Sequence, residues 1–251
     1  MTDAPPDYTE DTLLGGKVRL RQPASGYRVA IDPVLLAAAV PAISADTVLD
    51  VGCGIGAAAL CLAARVPGCR VVGIEQQRDL VRLASDNIML NDLFGRVNVM
   101  AGDLLRPPPR LEPGGFSHVM ANPPFLEAAT ISPSPHPGKG AAAVEGTADL
   151  AAWVRFAVAM ARAKGVLTFI HRADRLDQLL AELRGPTGEI TVFPLWPGID
   201  KPAKRVLVQA RKGSAAPTRL LPGLALHGPD GRYTEAAEAV LRHGAKLTLA
   251  P

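Results

Sequence analysis

The sequence predicts a Rossmann-like α/β fold: seven strands in a mostly parallel sheet that ends in an antiparallel hairpin, with helices on both faces. Three observations predict it. From Thr47 onward, short β-rich runs alternate with longer helical patterns, which is how β-α-β units build a parallel sheet. The first run, Val48 to Val51, passes into Gly52-Cys53-Gly54-Ile55-Gly56, a glycine-rich turn opening a helix. The chain has 251 residues, 48% of them hydrophobic, which suits one domain with a sizeable core and decorated ends.

In chain order, Met1 to Tyr27 is expected to be an irregular arm, where only the alternation of Val18, Leu20 and Gln22 with Arg19 and Arg21 hints at a strand. Asp32-Pro33 then offers a capping side chain and a proline at the first helical position, and the helix runs to Val40. Strands are expected at Val48 to Val51, Val71 to Glu75, Val97 to Ala101, His118 to Ala121 and Val166 to Ile170. The helices between them are Ala57 to Arg65, Arg78 to Asp92, Leu150 to Ala163 and, after the fifth strand, Arg175 to Arg184. In the second, Leu80, Leu83, Ala84, Asn87, Ile88 and Asn91 share one face. Ile190 to Phe193 and Arg205 to Ala210 lack a helix between them, so they form the hairpin at the sheet edge. The division expected is residues 1–45 as arm and cofactor-covering helix, 46–212 as core, and 213–251 as an extension with one short helix, Glu235 to Arg242, all in a single domain. The Pro, Ser and Gly-rich stretch Leu126 to Gly146 reads as a loop beside the site.

A formal net charge of +3 does not announce a nucleic-acid binder, but its distribution is uneven. Lys201, Lys204, Arg205, Arg211, Lys212 and Arg219 face the single acid Asp200 between Leu195 and Leu220, so the basic 201–212 segment is a candidate phosphate-contacting patch. Cys53, Cys61 and Cys69 match no zinc or redox spacing, and the five histidines do not cluster with other ligands, so no metal site is expected. The acidic N-terminus has no apolar signal region and no apolar run approaches a membrane span, so a cytoplasmic protein without membrane contact is expected.

The glycine turn alone suits several nucleotide-type cofactors. Gly52, Gly54 and Gly56 let the backbone approach a ligand closely, and Cys53 lies between them. Asp50, at the end of the first strand, would repel a pyrophosphate but can pair with the amino group in the methionine portion of S-adenosylmethionine. Glu75, with Gln76 beside it, ends the second strand and is placed to accept from ribose hydroxyls. Asp103, followed by Leu104, comes after the third and can accept from an adenine amino group. Three acids at successive strand ends face the crevice where open α/β sheets bind ligands.

Asn122-Pro123-Pro124-Phe125 follows the fourth strand, which neighbours the first in a doubly wound sheet. A planar NH2 is a weak nucleophile because its lone pair is delocalised. The side-chain oxygen of Asn122 and the carbonyl of Pro123, aimed at its two hydrogens, would orient it and favour a tetrahedral nitrogen. Pro124 fixes the turn, and Phe125 offers a face on which a flat, flipped-out base can stack.

These residues resemble the class I S-adenosylmethionine-dependent methyltransferases, and more narrowly the bacterial tRNA(Val) adenine-N6 methyltransferases. The resemblance is carried by Leu14-Gly15-Gly16, Gly26-Tyr27-Arg28 with Asp32 and Leu35-Leu36, the glycine turn, Asn122 to Phe125, Trp153, and Pro202 to Val208. It implies that Arg28 and Asp32 help close over the cofactor, and that the substrate is an adenosine beside a tRNA anticodon. Phe125 keeps stacking where related motifs carry Tyr, without the hydroxyl. Two other readings stay open. A protein glutamine presents the same NH2, and an NAD-type oxidoreductase shares the glycine turn but leaves Asn122 to Phe125 without a task.

Overall fold

The computed structural model describes residues 8–25, 28–124 and 148–249. Expectations for Gly26, Tyr27, Phe125 and the Leu126 to Gly146 loop lie outside the described residues. A sheet of nine strands is flanked by helices, and a separate two-stranded hairpin precedes it.

That hairpin corrects the irregular arm. β1 (Tyr8–Leu13) and β2 (Val18–Pro23) pair antiparallel, with Val18, Leu20 and Gln22 buried. Then come α1 (Asp32–Ala39), β3 (Thr47–Val51), α2 (Ala57–Arg65), β4 (Arg70–Glu75), α3 (Arg78–Leu90), β5 (Val97–Ala101) and β6 (Phe116–Ala121). They are followed by α4 (Leu150–Met160), β7 (Ala161–Arg172), α5 (Leu176–Leu183), β8 (Thr187–Gly198), β9 (Arg205–Lys212), the short β10 (Arg219–Leu220) and β11 (Leu224–His227), and α6 (Glu235–Leu241).

Strands β5, β4, β3, β6 and β7 lie side by side in parallel, and β9 then pairs antiparallel with both β7 and β8. The expected hairpin is present, but it is not the edge. β10 and β11, from the expected extension, both add parallel to β8, so two strands beyond the expected seven protect what would be an open ladder. The helix expected to reach Ala163 ends at Met160 because the chain turns extended at Ala161 (ψ 138°) and enters β7 there.

Alternating strand residues divide the core between the two faces. Val48, Val71, Met120, Ile170 and Leu207 pack with α1, α2 and α6, while Leu49, Ile74, Val119, Phe169 and Val206 pack with α4 and α5. No described helix is long and apolar enough to cross a membrane.

Asn87, buried in α3, and Asn91, half-buried at its C-terminal cap, explain how the hairpin is fixed. The Arg21 N–H donates to Asn87 Oδ1 (2.7 Å), and Asn87 Nδ2 donates to the carbonyls of Arg21 (3.0 Å) and Ile55 (3.1 Å). One turn on, Asn91 exchanges the same pair of bonds with Arg19, at 2.8 and 2.7 Å. Two side-chain amides thus stand in for a neighbouring strand along β2, and through Ile55 they tie the hairpin to the glycine turn.

Candidate functional site

The site is organised by one register. Val51 of β3 sits opposite Ala121 of β6, so Gly52 and Asn122 leave the same sheet edge on neighbouring strands, about 5 Å apart. Glu75 ends β4 at that edge, and His171 and Arg172 end β7 there. This edge, formed by the carboxyl ends of the parallel strands, is where open α/β sheets place ligands.

The glycine turn is held by β4. The N–H groups of Gly52 and Cys53 both donate to the Ile74 carbonyl, and that of Gly54 donates to Glu75 Oε2 (3.0 Å). The other Glu75 oxygen accepts from the Gln77 N–H (2.8 Å). Glu75 therefore first braces the turn, leaving further lone pairs for a ligand. Gly56 (φ +85°) caps α2. A side chain on Gly52 (φ +67°) would overlap Trp153, whereas one on Gly54 (φ +56°) would meet none of the described residues within 4 Å. The turn is thus sealed against α4 at its first glycine and, among the described residues, open at its second.

Asp50 is the most costly group in the site. It is 3% exposed, and its Oδ2 has no partner among the described residues. Burial, with the Glu75 charge adding to it against the N–H of Ala59, pushes its pKa up to about 8. A buried carboxyl with an orphan oxygen, beside a backbone turn open at its second glycine, fits a ligand that carries an ammonium group and approaches the turn closely. The residues present therefore fit S-adenosylmethionine. Cys53 is buried, and the same burial raises its thiol well above the ordinary range, which makes it packing rather than a nucleophile.

The remaining nominated residues are less alike in setting. Gln76 is exposed on the rim, Asp103 is half-buried with Oδ1 accepting from the Leu105 N–H (2.9 Å), and Leu104 packs toward the core on the α4 side. Pro123 is buried, Pro124 and Asn122 are half-buried, and the Asn122 amide makes no hydrogen bond to a described residue. Arg28 reaches back to Thr9 and Asp11 of β1. Asp32 does not cap α1, as the sequence suggested, because Ile31 occupies the cap position. Its carboxylate instead accepts from Arg205 Nε (3.0 Å), joining α1 to β9 across the edge.

Two residues that sequence reasoning left without a role stand at this edge. Trp153 is 8% exposed against Gly52, and its indole N–H has no partner among the described residues; the signal was a tryptophan in a chain with few aromatics. His171 is 2% exposed, and neither ring nitrogen is partnered among the described residues. Burial first, then Arg175, Arg205 and Arg172, lower its pKa to about 4, so it is neutral at pH 7. His118, by contrast, lies near the opposite edge and pairs with Asp46 (3.0 Å).

The expected basic segment is divided by β9 itself. Lys201, Lys204 and Arg205 precede or open the strand at the carboxyl edge, while Arg211 and Lys212 end it roughly 20 Å away. There Arg211 pairs with Glu189 (2.7 Å) and Lys212 donates to the Ala161 carbonyl (2.7 Å). Only the first group can share a ligand with Asn122.

Residues 26–134 match the family described as the methyltransferase small domain. The chain is 33% identical over 103 residues to a tRNA1(Val) (adenine(37)-N6)-methyltransferase of Yersinia pestis (strain Pestoides F). That match covers 41% of each chain, so this chain spans about two fifths of the curated relatives it matches. Among solved structures, it is similar to a predicted O-methyltransferase of Agrobacterium tumefaciens (TM-score 0.73, 24% identity, 86% of this chain and 98% of that one). It is also similar to a geranyl diphosphate C-methyltransferase of Streptomyces coelicolor A3(2), solved with S-adenosyl-L-homocysteine (TM-score 0.52, 14% identity, 72% of this chain and 76% of that one). Family match, fold and the buried acid at the glycine turn agree on S-adenosylmethionine as the cofactor.

Proposed function

We propose that this chain, which has the fold of the class I S-adenosylmethionine-dependent methyltransferases, transfers a methyl group to the N6 amino nitrogen of an adenosine in tRNA. The observation that carries the reading is the pairing of Val51 with Ala121, which brings the glycine turn and Asn122-Pro123 out of one edge on adjacent strands. The tRNA half of the reading is further supported by the 33% identity to the tRNA1(Val) enzyme.

When bound, the cofactor supplies an electrophilic methyl group. The chain's own residues then have three tasks. Asp50, neutral in the free protein at pH 7, gives up its proton to meet the ligand's ammonium, and Glu75 and Asp103 accept from the ribose and adenine portions. The Asn122 side-chain oxygen and the Pro123 carbonyl accept from the two hydrogens of the target amino group. That draws its lone pair out of conjugation and aims it. Proline at 123 and 124 restricts the backbone that carries the second acceptor, so little order has to be gained on binding. Proton loss follows methyl transfer and needs no strong base.

On this proposal residues 1–251 act as a single catalytic domain, with the 213–251 extension closing the sheet beyond β8. The test is to incubate the protein with S-adenosylmethionine and unmodified tRNA transcripts and analyse the nucleosides by mass spectrometry. N6-methyladenosine supports the proposal. Its absence from every transcript, with methylation of glutamine-containing peptides by the same preparation, would replace it by the amide reading.

A further inference from the structure

The sheet does not end at the acceptor motif. Beyond β6 the carboxyl edge continues through the end of β7, the start of β9, and the ends of β8 and β11. Four inter-strand steps of about 4.8 Å carry it roughly 19 Å from Asn122. Two kinds of group collect there. Arg172 and Lys204 stand where β7 and β9 meet, with the Ala173 N–H donating to the Lys204 carbonyl, and Lys201 is tied by its own N–H to Gly198 at the end of β8. Lys201 and Lys204 are exposed. Of the acids nearby, Asp174 pairs with Arg172 and Asp32 with Arg205, which leaves exposed Asp200 beside Lys201 against the two lysines.

The far end of the edge is aromatic in a chain with only 4% aromatic residues. His227 stacks on Tyr233, with centroids 4.7 Å apart and planes 24° from parallel. The stack is held by His227 Nδ1 against the Pro197 carbonyl (2.9 Å), and beside it Trp196 donates to the Pro222 carbonyl (2.9 Å). Both rings of the stack remain partly exposed. Exposed cations leading to a braced aromatic stack make a surface suited to a nucleic-acid strand, which needs phosphate partners at intervals and flat faces for unpaired bases.

From this placement we infer that the carboxyl edge from β7 to β11 is the RNA-holding surface, with Lys201 and Lys204 contacting phosphates and the His227–Tyr233 stack receiving a base outside the acceptor pocket. The inference rests on the proposed RNA substrate and names the surface that holds it. It excludes the other half of the basic segment, Arg211 and Lys212, which faces away.

The test measures tRNA binding by fluorescence anisotropy and methyl transfer in parallel, for the full chain, the double variant Lys201→Glu/Lys204→Glu, Tyr233→Ala, and Arg162→Glu. Arg162 is exposed at the start of β7, on the opposite edge. The double variant is expected to weaken tRNA binding at least tenfold and raise the KM for tRNA in step. Its salt slope should fall by about 1–2, with kcat and S-adenosylmethionine affinity within about twofold of wild type. Tyr233→Ala should lose about threefold or more in binding. Arg162→Glu should lose less than twofold. Equal losses from the double variant and Arg162→Glu, or no loss from the double variant, overturn the inference. tRNA binding that depends on the two lysines without any methyl transfer would uphold the surface while removing the proposed acceptor. Methyl transfer indifferent to them would do the reverse.

Discussion

Replacing Asp50 by Asn separates what the site costs from what it does. Its carboxyl has a raised pKa in the fold, about 8 against an ordinary 3.8. A raised folded-state pKa means that its contribution is most favourable below pH 3.8 and is lost progressively as pH rises to about 8. Each unit is about 1.4 kcal/mol, so roughly three units of imbalance at pH 7 correspond to about 4 kcal/mol of penalty in the ligand-free protein. Asparagine keeps an acceptor for the Ala59 N–H and removes the titration, but it buries an amide with two donors to satisfy, which returns about 1–2 kcal/mol. The net expectation is a ligand-free variant about 2 kcal/mol more stable at pH 7–8, or about 4–8 °C in Tm. That advantage should shrink as the pH falls, pass through zero near pH 5, and become a deficit of about 1 kcal/mol at pH 4, where only the buried amide's cost remains. The same change removes a charge-assisted contact worth about 1.5–3 kcal/mol, so S-adenosylmethionine affinity should fall between about tenfold and a hundredfold. Thermal melts from pH 4 to 8.5, with and without ligand, and calorimetry for affinity provide the measurements. A variant less stable than wild type at pH 8, or a Tm difference that does not change with pH, would refute the reasoning about Asp50.

Other perturbations reach the remaining parts of the site. Asn122→Ala should lower kcat at least a hundredfold while changing S-adenosylmethionine affinity by less than about threefold, because two-acceptor alignment acts on the acceptor amine; calorimetry beside single-turnover rates would reveal an equal loss of both. Asn87→Leu strands the N–H and C=O of Arg21 and the Ile55 carbonyl, and should cost about 3 kcal/mol in a urea melt, with protease cleavage appearing first in the β1–β2 hairpin. Gly52→Ala forces a side chain into a left-handed backbone position and against Trp153, so a loss of about 2 kcal/mol or more should accompany loss of ligand binding. An unchanged melting curve for that variant would show that the turn is not sealed by the indole.

How much of this was legible in the sequence follows from how locally each feature is determined. The parallel strands and their helices were, because hydrophobic period and turn residues report on a few neighbours at a time. Of the β1–β2 hairpin only β2 was hinted at, by the alternation of Val18, Leu20 and Gln22; its outer ladder is completed by Asn87 and Asn91, at and just past the end of a helix more than sixty residues on, and no local pattern carries that. Asp32 followed by Pro33 has the form of a helix cap, yet the nearby guanidinium of Arg205 takes the carboxylate; a contact spanning 173 positions overrode a local preference. The acids Asp50 and Glu75 were nominated from strand ends, but that Glu75 first braces Gly54, and that Asp50 retains an orphan oxygen, depend on packing. The basic segment misled in the opposite way: continuity in sequence became separation in space, because an extended strand carries one end of it across the sheet.

That separation bears on a wider pattern in where the molecule leaves polar capacity unused. Near the amino edge, buried polar side chains keep at least one bond: His118 through Asp46, Arg65 through the carbonyls of Ala37 and Val40, and Arg219 through Thr191. Each of these still leaves one nitrogen unpaired among the described residues, as Asp50 leaves one oxygen, but at the carboxyl edge the side chains of Trp153 and His171 have no partner at all among the described residues. A fold optimised for stability alone would fill or remove such groups, since each costs about 1–3 kcal/mol when left unsatisfied. That the two wholly unpartnered side chains stand by the glycine turn and the end of β7, with Asp50 at the end of β3, puts their cost where a ligand can offset it. Binding should therefore stabilise this protein by more than contact area suggests. Trp153→Phe, which removes the orphan N–H and keeps the packing on Gly52, provides the measure. It should raise ligand-free stability by about 1 kcal/mol, and should lower the stabilisation gained with saturating S-adenosylmethionine and tRNA if the indole N–H meets either of them.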